Sequence, residues 1–249
     1  MKIRQGLIVF SIAVLFTVYS AWSDDTPMPN VPEHYSLQTA EEAVDLALKY
    51  TGFDKQPGYD RATSIAGVRL GTVRDSTTPF LSDSIDGRTA WVIEFKDVVF
   101  ELGPEGGKKV LTAPFTFRVN MDAETGRFLG ARFTSIDDES ASKLQPSADN
   151  ASRELEMYDL AKYHGIPGSC PSRSMAEALS TWKHAAPGSA RLIVIHYVQY
   201  TRGSSGDDEP CPAWAVNLYG LGGGTAGKRW AMNAETGEFL WVVNWRPDN

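Results

Sequence analysis

One short phrase occurs twice in this chain, and both copies have the composition of a β-hairpin turn. The first half contains NMDAETGRFLGARF and the second half contains AMNAETGEFLWVVNW. Each copy begins with a residue, Asp122 or Asn233, whose side chain can accept a hydrogen bond from the backbone two residues on. Each ends with a glycine, Gly126 or Gly237, which tolerates a positive φ angle. The phrase therefore predicts a type I turn closed by a glycine bulge, between two strands.

A catalytic role for the acidic residue is the alternative interpretation of the phrase. The first copy has Asp122, but the second copy has Asn233 at the same place. An amide keeps the hydrogen bond of the turn and loses the chemistry of a general base. We therefore predict that Asp122, Gly126, Asn233 and Gly237 are structural turn residues, and we predict no catalytic residue.

The repetition extends beyond the turn. Two further pairs of segments match in the same order: VDLALKYTGF with YDLAKYHGI, and AWVIEF with AWAVNL. Three matches in one order indicate an internal duplication. In the first copy a helix is predicted between Thr39, which with Glu42 has the spacing of a capping box, and the stop at Gly52. In the second copy the corresponding helix is predicted between Ser152 and Gly165, and a further helix is predicted from Ser174 to about His184.

The duplication also predicts the domain organisation. The first unit covers residues 36–134 and the second covers residues 152–245. Residues 135–151 are polar and poor in apolar side chains, so they form the predicted linker.

The N-terminus has the composition of a secretory signal peptide. Two positively charged residues precede an apolar run, Leu7–Val18, and the small residues Ala21 and Ser23 stand at the cleavage positions. A membrane anchor needs ~20 apolar residues, more than this run contains. We predict a signal peptide over residues 1–23 and an extracytoplasmic protein, periplasmic or secreted, that does not insert in the membrane after cleavage. An uncleaved anchor is the alternative.

At this point the pattern resembles a known family. A helix, strands and a hairpin reading v-DA-x-TG-x-h are similar to the PepSY domain, which occurs in peptidase propeptides, here in two tandem copies. The residues that carry the resemblance are Val119–Leu129 and Ala231–Leu240, with Trp91–Phe95 and Trp214–Leu218 as the preceding strands.

The resemblance implies both a fold and a function. The implied fold class is α+β, with two repeated units that each pack a helix on a curved antiparallel β-sheet, as in cystatin-like folds. PepSY domains occur in propeptides of thermolysin-type secreted metallopeptidases and in bacterial envelope proteins. The family is associated with the inhibition, regulation or folding of peptidases, and it has no catalytic residues to carry over.

The chain contains two cysteines, Cys170 and Cys211, each next to a proline. In an oxidising compartment a disulfide is the default state of such a pair. It would close a loop of about 40 residues and contribute roughly 2–4 kcal/mol to stability. We therefore predict a Cys170–Cys211 disulfide, with a reactive thiol as the alternative.

The net charge restricts the classes of partner. Lysine and arginine total 24 against 31 aspartate and glutamate residues, for a formal charge of −7. An acidic surface repels phosphate backbones and anionic lipids, so we predict neither nucleic-acid nor membrane-surface binding.

No motif predicts a cofactor or a metal site. GGGTAGKR fits the start of a phosphate-binding loop, but Arg229 stands where that loop needs serine or threonine to hold magnesium. The four histidines have no metal-ligand spacing, and the acidic clusters at residues 137–139 and 207–209 match no calcium loop.

The C-terminal strand carries a candidate binding surface. Trp241, Val243 and Trp245 alternate along it and would share one face. If no helix covers that face, Trp241 and Trp245 are available to a ligand or partner.

We expect a secreted or periplasmic, non-catalytic binding protein. The expected partner is a protein, with a secreted peptidase as the first candidate. The alternative is a protein that binds a small molecule or an envelope component in a groove between helix and sheet. An unrecognised hydrolase is a third class, which clustered aspartate, glutamate and histidine side chains in one cleft would favour.

Overall fold

The computed structural model describes residues 33, 35–73, 87–102, 110–111, 114–135, 170–180, 190–200, 211–221 and 227–245. All of them belong to one compact unit, Val31–Asn249. The predicted signal peptide, the predicted linker beyond Ser135, the predicted helix between Ser152 and Gly165, and both acidic clusters lie outside the described residues. The two-domain division by residue number therefore stays a prediction.

The described helices and strands follow one another in a simple order. The helices are α1 (Ala40–Thr51), α2 (Arg61–Ser64) and α3 (Met175–Ser180), and a 3₁₀ turn, Phe53–Lys55, follows α1. The strands are β1 (Ile65–Thr72), β2 (Thr89–Val98), β3 (Glu101–Leu102), β4 (Val110–Leu111), β5 (Phe115–Asp122), β6 (Phe128–Thr134), β7 (Leu192–Tyr200), β8 (Cys211–Tyr219), β9 (Gly227–Asn233) and β10 (Phe239–Trp245).

Helix α1 is delimited by residues at both of its ends. Thr39 Oγ1 accepts a hydrogen bond from the backbone N–H of Glu42 at 3.1 Å, and the Glu42 carboxylate accepts one from the N–H of Thr39 at 3.0 Å. This is the predicted capping box, which is confirmed. Gly52 ends the helix with φ 66°, a left-handed conformation that glycine adopts without the steric penalty of a Cβ.

Eight of the described strands form one antiparallel sheet in the order β1-β2-β5-β6-β7-β8-β9-β10. Strands β3 and β4 pair separately. The decisive pairing is that of β6 with β7, in which Ala131 lies opposite Ile195 and Phe133 opposite Ile193. Strands from both halves of the sequence therefore belong to a single sheet.

The predicted fold class, two repeated units that each pack a helix on a separate curved sheet, is wrong. The reason is physical: an edge strand leaves a row of backbone N–H and C=O groups unpaired, and β6 and β7 satisfy theirs by pairing with each other. Turn and strand signals in a sequence are local, so they do not show which two edges will meet.

A single hydrophobic core covers one face of this sheet, which we call the helix face. Its buried side chains come from α1, α3 and strands of both halves. Tyr50 of α1 shows the continuity best, because its ring stacks on Phe128 of β6 at 5.4 Å between centroids and meets the edge of Tyr197 of β7 at 5.6 Å. The opposite side of the sheet is called the outer face below.

Candidate binding surfaces

The first repeated phrase forms the turn between β5 and β6. The Oδ1 atom of Asp122 accepts hydrogen bonds from the backbone N–H groups of Glu124 at 2.9 Å and Thr125 at 3.1 Å. The N–H of Gly126, at φ 71°, donates to the Asp122 carbonyl at 2.9 Å. The second carboxylate oxygen of Asp122 forms an ion pair with Arg88 Nη1 at 2.8 Å. Every oxygen of this buried carboxylate is thus engaged in structure.

The second phrase forms the turn between β9 and β10 in the same way. The Asn233 side-chain oxygen accepts from the N–H groups of Glu235 at 2.8 Å and Thr236 at 3.0 Å. The N–H of Gly237, at φ 77°, donates to the Asn233 carbonyl at 2.9 Å. The four predicted turn residues thus lie in two separate hairpins, each closed by its own contacts.

Each turn also holds the segment that leads into a helix. Before α1, the N–H of Leu37 donates to the carbonyl of Ala123 at 3.1 Å, and the Leu37 carbonyl accepts from the indole N–H of Trp91 at 3.1 Å. Before α3, Arg173 makes the corresponding bonds with Ala234 and Trp214, both at 2.7 Å.

Helix α3 thus enters the sheet through the same contacts as α1. Sequence similarity matches α1 with residues 158–166, and the predicted helix after Ser174 is an addition to the second copy. A signal for the alternative match was present, because Ser174 and Glu177 repeat the capping-box spacing. The Glu177 carboxylate accepts from the Ser174 N–H at 2.7 Å, and the Glu177 N–H donates to the Ser174 hydroxyl at 3.3 Å.

The carboxyl group of Glu177 has a perturbed pKa. Partial burial acts to raise the pKa, but hydrogen bonds from the Ser174 backbone and hydroxyl, with the nearby Arg173, outweigh burial and lower it. The ionised form is therefore the one that the α3 cap stabilises.

Trp241 lies on the outer face, away from α1 and α3. It is half-buried against a small cluster that contains Val198, Tyr200 and Ala213. Its indole nitrogen is buried and has no hydrogen-bond partner. For Trp245 the structure gives the backbone register, opposite Gly227, and its side chain lies outside the described part. The predicted binding role of Trp241 and Trp245 stays a prediction.

The outer face differs between its two halves. On β2 and β5 it carries charged side chains, and Glu94 forms an exposed ion pair with Arg118 at 3.5 Å. On β7 and β8 it carries buried apolar residues such as Val194 and Val198.

Polar side chains buried on the apolar half have structural partners. Asn217 Nδ2 donates to the carbonyl of Val194 at 3.2 Å, and His196 Nδ1 lies 3.4 Å from the carbonyl of Leu129. Arg229 donates to the hydroxyl of Tyr219 at 3.4 Å and lies over its ring. These contacts give each of the three buried polar side chains a hydrogen-bond partner within the sheet, as buried polar groups in folded proteins generally have.

Both cysteines are free thiols in this structure, so the predicted disulfide is not formed in it. Cys170 is exposed before α3, and Cys211 is half-buried at the start of β8. Burial, with the negative charges of Glu238 and Glu235, raises the pKa of the Cys211 thiol. A raised pKa lowers the thiolate fraction, so the Cys211 environment does not favour a nucleophile.

An open groove of about 620 Å³ lies beside the C-terminal end of α1. The side chains that line it are Asp45, Leu48, Lys49, Asp54, Lys55, Tyr59, Arg61, Cys170 and Pro171. Arg61 neutralises Asp45 through a contact of 2.6 Å. The Tyr59 hydroxyl is buried without a hydrogen-bond partner, and burial raises its pKa. This groove is polar, unlike an apolar pocket lined by tryptophans.

Strand β1 forms one end of the sheet. It pairs with β2 on one side, and no described strand pairs with its other side. Ala66, Arg69 and Thr72 are exposed, and the remaining β1 residues are partly exposed, in contrast to the largely buried β2. The outer edge of β1 therefore offers unpaired backbone groups next to the core.

Within the described residues, no arrangement of side chains indicates catalysis. No three histidine, cysteine, aspartate or glutamate side chains there come together as metal ligands would. None of the described helices has the length and apolar character to cross a membrane. Comparisons with protein-family models, with curated proteins and with solved structures find no match for this chain.

Proposed function

We propose that this chain is an exported, non-catalytic protein that binds another protein. The observation that carries the proposal is the open end of the sheet at β1, where Ile65, Val68 and Leu70 pack against the core yet remain partly exposed. Exposed sheet edges bind extended segments of other proteins by adding a strand.

The first candidate partner is a secreted peptidase. The support is the resemblance of both hairpin phrases to PepSY domains, which accompany secreted metallopeptidases. A peptidase binds its substrates as extended strands along its cleft. The open edge of β1 is also an extended strand with unpaired backbone groups, so it can pair with an extended segment of such an enzyme. The signal-like N-terminus supports export to the compartment in which such peptidases act.

The test uses purified protein from residue 24 onward and secreted peptidases, including a thermolysin-type metallopeptidase. Hydrolysis of a fluorogenic peptide is measured with increasing amounts of the protein, and complex formation is measured by size-exclusion chromatography. We expect slower hydrolysis at near-equal molar ratios, with the protein intact. Unchanged rates with no complex, or simple degradation of the protein, would contradict the proposal.

The groove beside α1 supports a second candidate, the binding of a small molecule or an envelope component. Lys49 and Lys55 place positive charge there, and the unpartnered Tyr59 hydroxyl can donate or accept a hydrogen bond. Such a site suits a small zwitterion. Thermal unfolding with amino acids and peptidoglycan stem peptides tests this function, with Lys49→Glu as the groove variant and Lys96→Glu on β2 as the control. A stabilisation that survives Lys49→Glu would exclude the groove.

A further inference from the structure

We propose that residues Val68–Thr72 of β1 accept one extended segment of a protein partner, in which apolar residues alternate with acidic ones. This inference rests on the proposed binding function and specifies its site and the chemistry of the partner. The occupant is added as a ninth strand beyond β1.

The direction of the β1 backbone follows from bonds at its end. The N–H of Val73 donates to the carbonyl of Arg88 on the β2 side at 2.9 Å, so Val73 faces into the sheet. Residues of an antiparallel strand point alternately to its two neighbours. Thr72, Leu70 and Val68 therefore direct their N–H and C=O groups away from β2, toward the open edge.

The pairing on the far side of β2 agrees with this direction. Thr89 lies opposite Thr72, and its carbonyl accepts from the N–H of Ala123, which follows β5. The backbone N–H and C=O groups of Thr89 therefore point away from β1. Antiparallel pairing requires this when the backbone groups of the opposite residue, Thr72, point away from β2.

An irregularity in register defines the other limit of the edge. The β1–β2 register shifts between Ile65 and Gly67, which interrupts the regular alternation there. The regular part that an added strand can follow is therefore Val68–Thr72, with an outward-facing residue at every second position.

The helix-face side of this edge selects apolar side chains. Val68 and Leu70 lie opposite Ile93 and Trp91 in β2 and pack against the core, yet both are partly exposed. Alternate side chains of an added strand would lie beside them and remove this apolar surface from water.

The outer-face side selects an acidic side chain. Arg69 is exposed, and its guanidinium extends over Gly71, where a Cβ would lie 2.9 Å from Nη1. A Cβ at Gly67 would meet nothing within 4 Å, so this side of β1 is open. A carboxylate on the added strand could reach the Arg69 guanidinium and form charge-assisted hydrogen bonds.

A partner of different sequence fits this edge better than a second copy of the chain. A second β1 would bring another Arg69 and no acidic residue, because the strand reads IAGVRLGT. Charge complementarity therefore favours an acidic, alternating segment.

The probe is a fluorescently labelled, blocked peptide of alternating valine and aspartate, titrated into the protein from residue 24 onward. Arg69→Glu reverses the positive charge that is expected to attract the aspartates of the peptide. Thr72→Pro removes one backbone N–H that points to the open edge, at a position where the side chain is exposed. Arg118→Glu is the matched control, an exposed arginine on the same face of the interior strand β5. We expect both β1 variants to weaken binding about tenfold, the control to leave it unchanged, and Arg69→Glu to prefer a valine–lysine peptide.

Amide hydrogen exchange provides a readout that does not depend on charge. Binding should slow exchange at Val68, Leu70 and Thr72, and it should leave the inward-facing amides of Arg69 and Gly71 unchanged. Protection elsewhere, equal binding by Arg69→Glu, or dimerisation of the chain through β1 without peptide binding would overturn the inference. If a peptidase still forms a complex with both β1 variants at unchanged affinity, this inference fails while the proposed function stands.

Discussion

The two repeated hairpins share a backbone and differ in charge. In both, one side-chain oxygen accepts two backbone N–H groups, and a glycine at φ 71° or 77° closes the turn. Asp122 is only 1 % exposed and pairs with Arg88, whereas Asn233 is half-buried and makes its turn bonds as a neutral amide.

The difference shows which part of the phrase serves the turn and which part serves its surroundings. The hydrogen bonds of the turn need an oxygen, which aspartate and asparagine both supply. A buried carboxylate needs a partner charge in addition, and Arg88 provides it in the first hairpin. The first residue of the turn is therefore aspartate where a neighbouring arginine balances its charge, and it is asparagine in the second hairpin.

The largest expected effect separates the two hairpins directly. Asp122→Ala removes two turn hydrogen bonds and the ion pair in a buried site, so we expect the free energy of unfolding to fall by about 2–4 kcal/mol. Asn233→Ala removes only turn bonds in a more exposed site, for a loss of about 1 kcal/mol. Urea denaturation of both variants measures the difference, and equal losses would show that the Arg88 contact adds nothing.

The tryptophan anchors test whether the hairpins hold their helices equally. Trp91→Phe and Trp214→Phe each remove the indole N–H that bonds to Leu37 or Arg173, and we expect each to cost about 1–3 kcal/mol. The unfolding free energies of both variants can be compared directly in urea. A loss confined to Trp91→Phe would mean that the α3 anchor contributes no stability.

The closing glycines should behave alike. Gly126→Ala and Gly237→Ala both place a Cβ at positive φ, at a cost of about 1–2 kcal/mol. The Cβ at Gly126 would lie 3.4 Å from Leu46, and the one at Gly237 would lie 3.6 Å from Arg173, so neither meets a severe clash. Thermal denaturation should show similar shifts. A neutral effect at either position would contradict the turn geometry.

The smallest expected effect concerns the cap of α3. The folded-state pKa of Glu177 is lowered, so its contribution is present above the unfolded pKa and is lost as pH falls through the folded pKa. Because Glu177 is partly exposed, we expect this contribution to be about 0.5 kcal/mol. Glu177→Gln should flatten the stability profile below about pH 4.5 relative to the parent. An unchanged profile would contradict the assignment.

Local features of this fold were readable in the sequence, and long-range features were not. The bonds made by Asp122 and Thr39 reach only two or three residues along the chain, so their spacing predicts them. The pairing of Ala131 with Ile195 joins residues far apart in sequence, and nothing local encodes it.

The candidate sites follow the same division. The alternation that places Trp241 on one side of β10 is local, but the free edge of β1 depends on which strands occupy the sheet interior. The similarity of residues 44–53 to 158–166 predicts a helix that lies outside the described residues, so that match stays a prediction. The capping residues Ser174 and Glu177 mark α3, the described helix that is held by contacts like those before α1.

The seam between β6 and β7 makes the two parts of the chain dependent on each other. A break in the backbone after Ser135 and before Cys170 would leave Tyr50 on one fragment and its neighbour Tyr197 on the other. The fragments would still share a ladder of hydrogen bonds and a common apolar interior. The two fragments of a nicked protein should therefore remain associated, and separated fragments should reassemble when they are mixed. Either fragment alone would expose an unpaired strand edge and apolar core residues, which favour aggregation.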